Sequence, residues 1–245
     1  MNNYHTHTCF CDGRDTPEEL ILEAIKLGCT ELGFSGHSHL PFDNSCMSKQ
    51  GTLDYCLEVR RLQAKYASQI CIKLGIEQDI FSEIDRNKYD YVIGAVHYIQ
   101  KAGKFFPVDY SCDSFLQIVQ EIYNGDFYTL AEDYYQLESE VWERTQCDII
   151  AHFDLITKYN EGDCLFDTSH PRYLAAADAA LEKLMKTPAI LEINTGAMAR
   201  GYRKTPYPQD IFLKKWKASG KKIIWSSDCH DKRYLLYGFE EESNI

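Results

Sequence analysis

The stretch that decides the fold runs Asn3-Tyr4-His5-Thr6-His7-Thr8, then Thr16-Pro17-Glu18-Glu19-Leu20-Ile21-Leu22-Glu23-Ala24-Ile25-Lys26-Leu27-Gly28, then Glu31-Leu32-Gly33-Phe34-Ser35. Its middle segment announces a helix. Thr16 is an N-cap residue, Pro17 takes the first helical position, and Glu19, three residues after Thr16, completes a capping box. Leu20, Ile21, Ala24, Ile25 and Leu27 give the apolar face, and Gly28 ends it. The flanking segments are short, apolar and rich in β-formers, so a strand leads into a helix and the helix into another strand.

The alternation continues along the chain. Strands are expected at residues 3–8, 31–35, 70–77, 91–96, 149–152, 190–194 and 222–227, and further helices at 53–68, 114–124, 127–145, 171–185 and 208–219, the last again opening with Pro. This is the pattern of an α/β domain with a largely parallel sheet. Residues 40–51, 101–112 and 196–207 carry Gly, Pro, Tyr and basic residues and read as loops over one face. Nothing resembles a linker, a repeat or a low-complexity tract, so residues 1–245 are expected to form a single domain, a length that α/β barrels reach.

Composition narrows the function classes. An apolar fraction of 44% and a charged fraction of 26% are those of a folded globular chain rather than a disordered one. A formal net charge of −11 with no basic stripe argues against nucleic acid as a partner. No apolar run approaches the roughly 20 residues that span a bilayer, and no membrane partner is expected. The start Met1-Asn2-Asn3-Tyr4 shows no export signal, so a cytoplasmic location is expected. The ten cysteines form no C-x-x-C pair, and most are expected to be small buried hydrophobes in a reducing compartment. The sequence leaves the oligomeric state open.

The histidines carry the chemistry. His5 and His7 share one face of the first strand, because strand side chains alternate with period two. His37 follows the second strand, Glu77 ends the third, His97 the fourth and His152 the fifth, and Asp228-Cys229-His230 ends the seventh. Any one of these, taken alone, is most simply a hydrogen-bonded core or loop residue. Six of eight histidines at strand positions, with Glu77 and Asp228 in equivalent places, are the ligand types of a metal site converging from strand ends.

These motifs resemble a known family. His5-Thr6-His7-Thr8 with Cys11-Asp12-Gly13, Ser35-Gly36-His37-Ser38, Gly75-Ile76-Glu77, Gly94-Ala95-Val96-His97-Tyr98, Ala151-His152-Phe153-Asp154 and Ser227-Asp228-Cys229-His230 are similar, in order, to the motifs of the polymerase and histidinol phosphatase (PHP) family. Within it, Gly36-His37-Ser38, Pro41-Phe42-Asp43, Val108-Asp109, Asn194-Thr195-Gly196-Ala197 and Arg200-Gly201-Tyr202-Arg203 look like the substrate-side segments of histidinol-phosphatases.

The resemblance implies a distorted seven-stranded (β/α)7 barrel and two to three divalent metal ions, zinc, iron or manganese. Carried over by position, His5, His7, Glu77 and Asp228 would hold one ion. Glu77 would bridge to a second, held also by His97 and His152. Asp12, His37 and His230 would hold the third, with Asp12 replacing the His of some members. The implied reaction is hydrolysis of a small phosphate monoester by a metal-activated hydroxide, foremost L-histidinol phosphate to L-histidinol and phosphate in histidine biosynthesis. The alternatives are a phosphotyrosyl-protein, nucleotide or nucleic-acid-end phosphatase of the same site, and a non-catalytic scaffold module.

Glu77, Asp12 and His39 are the expected catalytic residues, His39 as general acid to the leaving alkoxide. Arg200 and Arg203 are expected to clamp phosphate through their guanidinium forks, and Lys158 to add a third positive charge. No serine or cysteine sits in a nucleophile-elbow motif. His170, before Pro171, reads as a cap, and most of the seventeen tyrosines as packing. Glu240-Glu241-Glu242 reads as a solvated tail.

Overall fold

The capping box at Thr16 is present: the Thr16 hydroxyl accepts from the Glu19 N–H and the Glu19 carboxylate accepts from the Thr16 N–H at 2.9 Å. It starts helix α1, Pro17–Lys26, which buries Leu20, Ile21 and Ala24 and leaves Leu27 on the surface. The computed structural model describes residues 1–239, and the acidic run Glu240-Glu241-Glu242 lies outside the described residues.

In chain order the strands are β1 Asn2–Asn3, β2 Glu31–Phe34, β3 Cys71–Asp79, β4 Tyr91–Ala95, β5 Tyr98–Lys101, β6 Lys104–Pro107, β7 Ile149–Ile150, β8 Ile190–Asn194 and β9 Ile223–Ser226. The remaining helices are α2 Lys49–Tyr66, α3 Cys112–Tyr123, α4 Phe127–Glu138, α5 Val141–Thr145, α6 Pro171–Leu184, α7 Gly196–Ala199 and α8 Asp210–Ala218. Seven strands pair in parallel in the order β1-β2-β3-β4-β7-β8-β9. The edges then meet. His7 N–H donates to the Cys229 carbonyl at 2.8 Å and Cys229 N–H to the His5 carbonyl at 3.1 Å, closing the sheet into a distorted (β/α)7 barrel.

The first strand is shorter than residues 3–8. Beyond Asn3 its partners are irregular: Thr6 N–H donates to the Ser35 hydroxyl rather than to a carbonyl, and the Tyr91 hydroxyl donates to the carbonyls of Tyr4 and Phe34. The Tyr91 ring crosses the barrel floor where Gly33 and Gly75 lack a Cβ; one built there would lie 2.3 Å and 2.2 Å from Tyr91 atoms. Tyr91, Ile93, Ala95, Ile149 and Ala151 fill this end with a separate apolar cluster, so the barrel is closed below and open above.

Several expectations need correction. Residues 101–112 are not all loop, since β5 and β6 form a hairpin there. Its turn, Ala102-Gly103, has both φ angles positive (48° and 76°), and alanine gave no signal for that turn. The helix expected at 127–145 breaks at Ser139-Glu140 into α4 and α5. Helix α2 begins before residue 53, capped by Ser48 accepting from Gly51 N–H at 2.9 Å. Pro208 precedes α8 instead of opening it, because Gln209 takes the cap. Of ten free cysteines only Cys29, Cys147 and Cys229 are buried; most are partly or fully exposed because they lie on loops, caps, outward helix faces or, for Cys71, the open start of β3.

Candidate metal centre

Five of the six strand-end histidines converge on one carboxylate. Glu77, on β3, is fully buried, and its two oxygens face different partners. Oε2 lies 3.4 Å from His5 Nε2, 3.4 Å from His7 Nε2 and 2.9 Å from His37 Nδ1. Oε1 lies 3.3 Å from His97 Nε2 and 3.1 Å from His152 Nε2. Asp228 Oδ1 approaches His5 Nε2 at 3.5 Å and His7 Nε2 at 3.2 Å. Its backbone is left-handed (φ 47°), a conformation Asp tolerates, at the end of β9. On the outer side Asp12 stands 3.2 Å from His230 Nε2, 3.7 Å from His37 Nε2 and 3.6 Å from His7 Nδ1.

Three sets of potential ligands therefore share members: His5, His7 and Asp228; His37, Glu77 and His97; and His7, Asp12, His37 and His230. The donors fit a cation. His5 Nε2, His7 Nε2 and Glu77 Oε2 are buried without a hydrogen-bond partner, yet they face one another and Asp228. Imidazoles and carboxylates are the donors that zinc, iron and manganese take.

Electrostatics prepares these atoms. Burial, together with His230 and His37 on either side, lowers His7 to about 3, so its ring stays neutral with a lone pair to offer. Burial opposes ionisation of Glu77 and Asp228, but His5, His37 and His97 around the first, and Arg200 and His5 around the second, hold both carboxyls well below their usual range. Burial likewise opposes charge on His37, and Glu77 and Asp12 outweigh it, raising His37 to about 9.

Above the cluster opens a cavity of about 600 Å³ lined by Asp12, His37, Glu77, His97, His152, Asp228 and His230, with Asp43, Tyr98, Asp109, Lys158, Arg200 and Tyr202 on its walls. Arg200 donates to Asp228 Oδ2 at 3.0 Å. Lys158 donates to the Asp109 carbonyl at 2.7 Å and its carboxylate at 3.1 Å, so its charge is largely engaged. Two expected residues are elsewhere. His39 does not line the cavity, and its Nδ1–H donates to the Met47 carbonyl at 3.0 Å. Arg203 is buried beside the barrel, donating to Thr157 and to the Thr205 carbonyl and stacking 4.6 Å from the Tyr207 ring centroid. A two-residue step from a ligand, or an arginine in the right loop, says nothing about which way the side chain turns. His170 caps α6, accepting from Arg172 N–H.

Sequence reasoning missed two supporting carboxylates. Asp79 accepts from the His97 N–H at 3.0 Å and contacts its Nδ1 at 3.2 Å. Glu192, on β8, accepts from His5 Nδ1 at 2.6 Å. The available signal was a charge inside an apolar strand, Leu191-Glu192-Ile193.

A sequence model described as the PHP domain matches residues 3–196, about four-fifths of the chain. The chain belongs to the PHP domain family. Asp228 and His230 lie beyond the matched segment and reach the PHP centre through barrel closure. A histidinol-phosphatase of Bacillus subtilis (strain 168) is 22% identical over 264 residues, covering 96% of each chain. The crystal structure of histidinol phosphate phosphatase from Lactococcus lactis, complexed with zinc, L-histidinol and phosphate, superposes with a TM-score of 0.72 at 21% identity over 99% of this chain and 91% of that one. A Listeria monocytogenes protein, crystallised as a candidate histidinol phosphatase, gives 0.85 at 21% identity over 98% and 99%. These structures share the PHP barrel fold. Among the described residues no helix is long and apolar enough to cross a membrane.

Proposed function

We propose that this PHP chain hydrolyses L-histidinol phosphate to L-histidinol and phosphate, with two or three divalent ions of zinc, iron or manganese. The observation that carries the reading is Glu77, whose two oxygens face separate histidine sets. His5, His7, Glu77 and Asp228 would hold one ion, Glu77, His97 and His152 a second, and Asp12, His37 and His230 a third. When bound, the ions supply Lewis acidity that activates water and offsets the charge of the phosphoryl oxygens.

The chain's own residues bind and orient. Arg200, tied to Asp228, sets a guanidinium in the cavity wall where a phosphoryl oxygen can take a second bond from it. Asp43 faces the same space and suits a substrate that carries an ammonium beside its phosphate, whereas the charge of Asp109 is already met by Lys158. Among the described residues no side-chain nucleophile is set up around this cavity. Ser38 is bonded to Ser82, Cys46 donates to Asp43, and burial pushes the Cys11 thiol, off the cavity, up to about 12. The relatives named histidinol-phosphatases support the choice of substrate. The reading takes residues 1–245 as one domain, since β9 completes the barrel, and places it in a reducing, cytoplasmic setting that keeps ten thiols free.

The test is metal analysis of the purified protein with phosphate release from L-histidinol phosphate, p-nitrophenyl phosphate and 5′-phosphorylated oligonucleotides. The expected result is bound metal and the highest kcat/KM on L-histidinol phosphate. No release from any of them by the metal-loaded protein would sink the proposal, and preference for the oligonucleotides would move the activity to nucleic-acid ends.

A further inference from the structure

Glu192 is fully buried inside the barrel, and all its hydrogen-bond donors are accounted for without a lysine or arginine. Oε2 accepts from His5 Nδ1 at 2.6 Å and from the Ser226 hydroxyl at 2.5 Å. Oε1 accepts from the His152 backbone N–H at 3.0 Å and the Asn194 side-chain amide at 2.6 Å. The partners on the two oxygens belong to different ions of the proposed centre. His5 serves the first, and His152 the second.

The contact to His5 fixes a donor atom, and the contact to His152 fixes a position. With its Nδ1 proton given to Glu192, His5 carries its lone pair on Nε2, the atom that faces Glu77 Oε2 and Asp228. With its backbone anchored, His152 presents Nε2 at 3.1 Å from Glu77 Oε1. Glu192, His5, Glu77 and His152 thus form a closed ring of contacts around both positions that share Glu77. A rotation of the Glu192 carboxylate disturbs both at once. A buried anion that meets no lysine or arginine also gains from nearby ions, and it gains from each of them.

We propose that Glu192 is a positioning residue that couples the first and second metal positions, so that the two ions load as a linked pair. This rests on the metal centre proposed above but not on the identity of its substrate. Glu192→Gln replaces one acceptor oxygen by an NH2 group, leaving either His5 Nδ1–H or the His152 N–H facing a donor.

The experiment is titration of the metal-free protein with Co2+ and with Zn2+ against a chelator of known affinity, reading cobalt d–d absorption and bound stoichiometry. The wild type should fill the two Glu77 positions together. Glu192→Gln should bind about 10–100-fold more weakly at both, with altered cobalt bands and stepwise filling. Its metal-free form should melt lower than the wild type whichever role holds, because a buried donor then faces a donor, so the deciding readout is the folded variant: a merely structural Glu192 would lower that melt and leave its metal affinity and cobalt bands as in the wild type. Ser226→Ala removes a hydrogen bond from the same oxygen without touching His5 and should change affinity less than about threefold.

Unchanged affinity and joint filling in Glu192→Gln, or an equal loss in Ser226→Ala, overturns the coupling. If Glu192→Gln does not fold, imidazole 15N shifts of zinc-loaded wild type decide: coordination of His5 through Nε2 supports the assignment and through Nδ1 overturns it. A wild type that binds neither metal refutes the centre itself, a different failure from a wild type that binds and a variant that binds equally well.

Discussion

Replacing Glu77 by Gln tests the centre at its shared member. The substitution keeps shape and volume and removes one charge from a fully buried position between His5, His7 and His37 on one side and His97 and His152 on the other. Removing one partner of a buried ionic contact costs about 3–5 kcal/mol. At about 1.4 kcal/mol per tenfold, that is a loss of roughly 10² to a few times 10³ in affinity. Because both oxygens are engaged, the loss in the proposed centre should fall on two ions rather than one. The assay is metal content after equilibration with buffered Zn2+ or Mn2+, beside phosphate release at each free-metal concentration. Affinity for both ions should fall together, and activity should return only as far as metal does. A variant that loses one ion while holding the other normally, or that stays fully metallated and active, refutes the bridging geometry.

Other outcomes follow from the same contacts. Arg200→Ala should lower kcat/KM for the phosphate ester by about 10²-fold, the usual scale for losing one positioned charge donor, with a melting temperature close to wild type. Arg203→Ala should do the reverse, costing about 2–4 kcal/mol in urea unfolding through loss of a buried, hydrogen-bonded charge while metal-saturated kcat/KM changes little. His39→Ala should leave kcat and its pH profile unchanged; a lost alkaline limb in the rate would restore His39 as the general acid. Burial raises the Glu138 carboxyl well above its usual range, so the folded protein holds that proton longer than the unfolded chain does. The stability this contributes is present at pH below the ordinary carboxylate range and lost as pH rises toward the raised value. Urea unfolding of Glu138→Gln should therefore gain on wild type between pH 5 and pH 8, and parallel curves for the two proteins would refute it.

The parts of the site that were legible are those that repeat a local rule. Thr16, Pro17 and Glu19 are a cap whose partners lie within three residues, so α1 could be read directly. His5 and His7 declare a shared face through strand period alone, and the barrel places both fully buried beside Glu77. The hairpin at Tyr98–Lys101 and Lys104–Pro107 was hidden because its turn uses alanine in a left-handed conformation. Glu192 was hidden because a charge in the middle of an apolar strand gains its meaning only from His5, distant in sequence. Arg203 and His39 lay in the right loops, yet the direction of a loop side chain is set by what packs against it.

By itself the sequence determined the alternation of strands and helices and the set of residues able to bind metal, because strand period, caps and ligand chemistry act over a few residues. Tertiary structure decided which of those residues meet. Closure of the barrel through His5, His7 and Cys229 brings the two ends of the sheet together, so that Asp228 reaches His5 and His7, and His230 stacks on His7, more than two hundred positions earlier. It also decided that Glu77 stands between two histidine sets and that Glu192 stands behind both. Those relations are distances across a closed ring of strands, and no spacing along the chain encodes them.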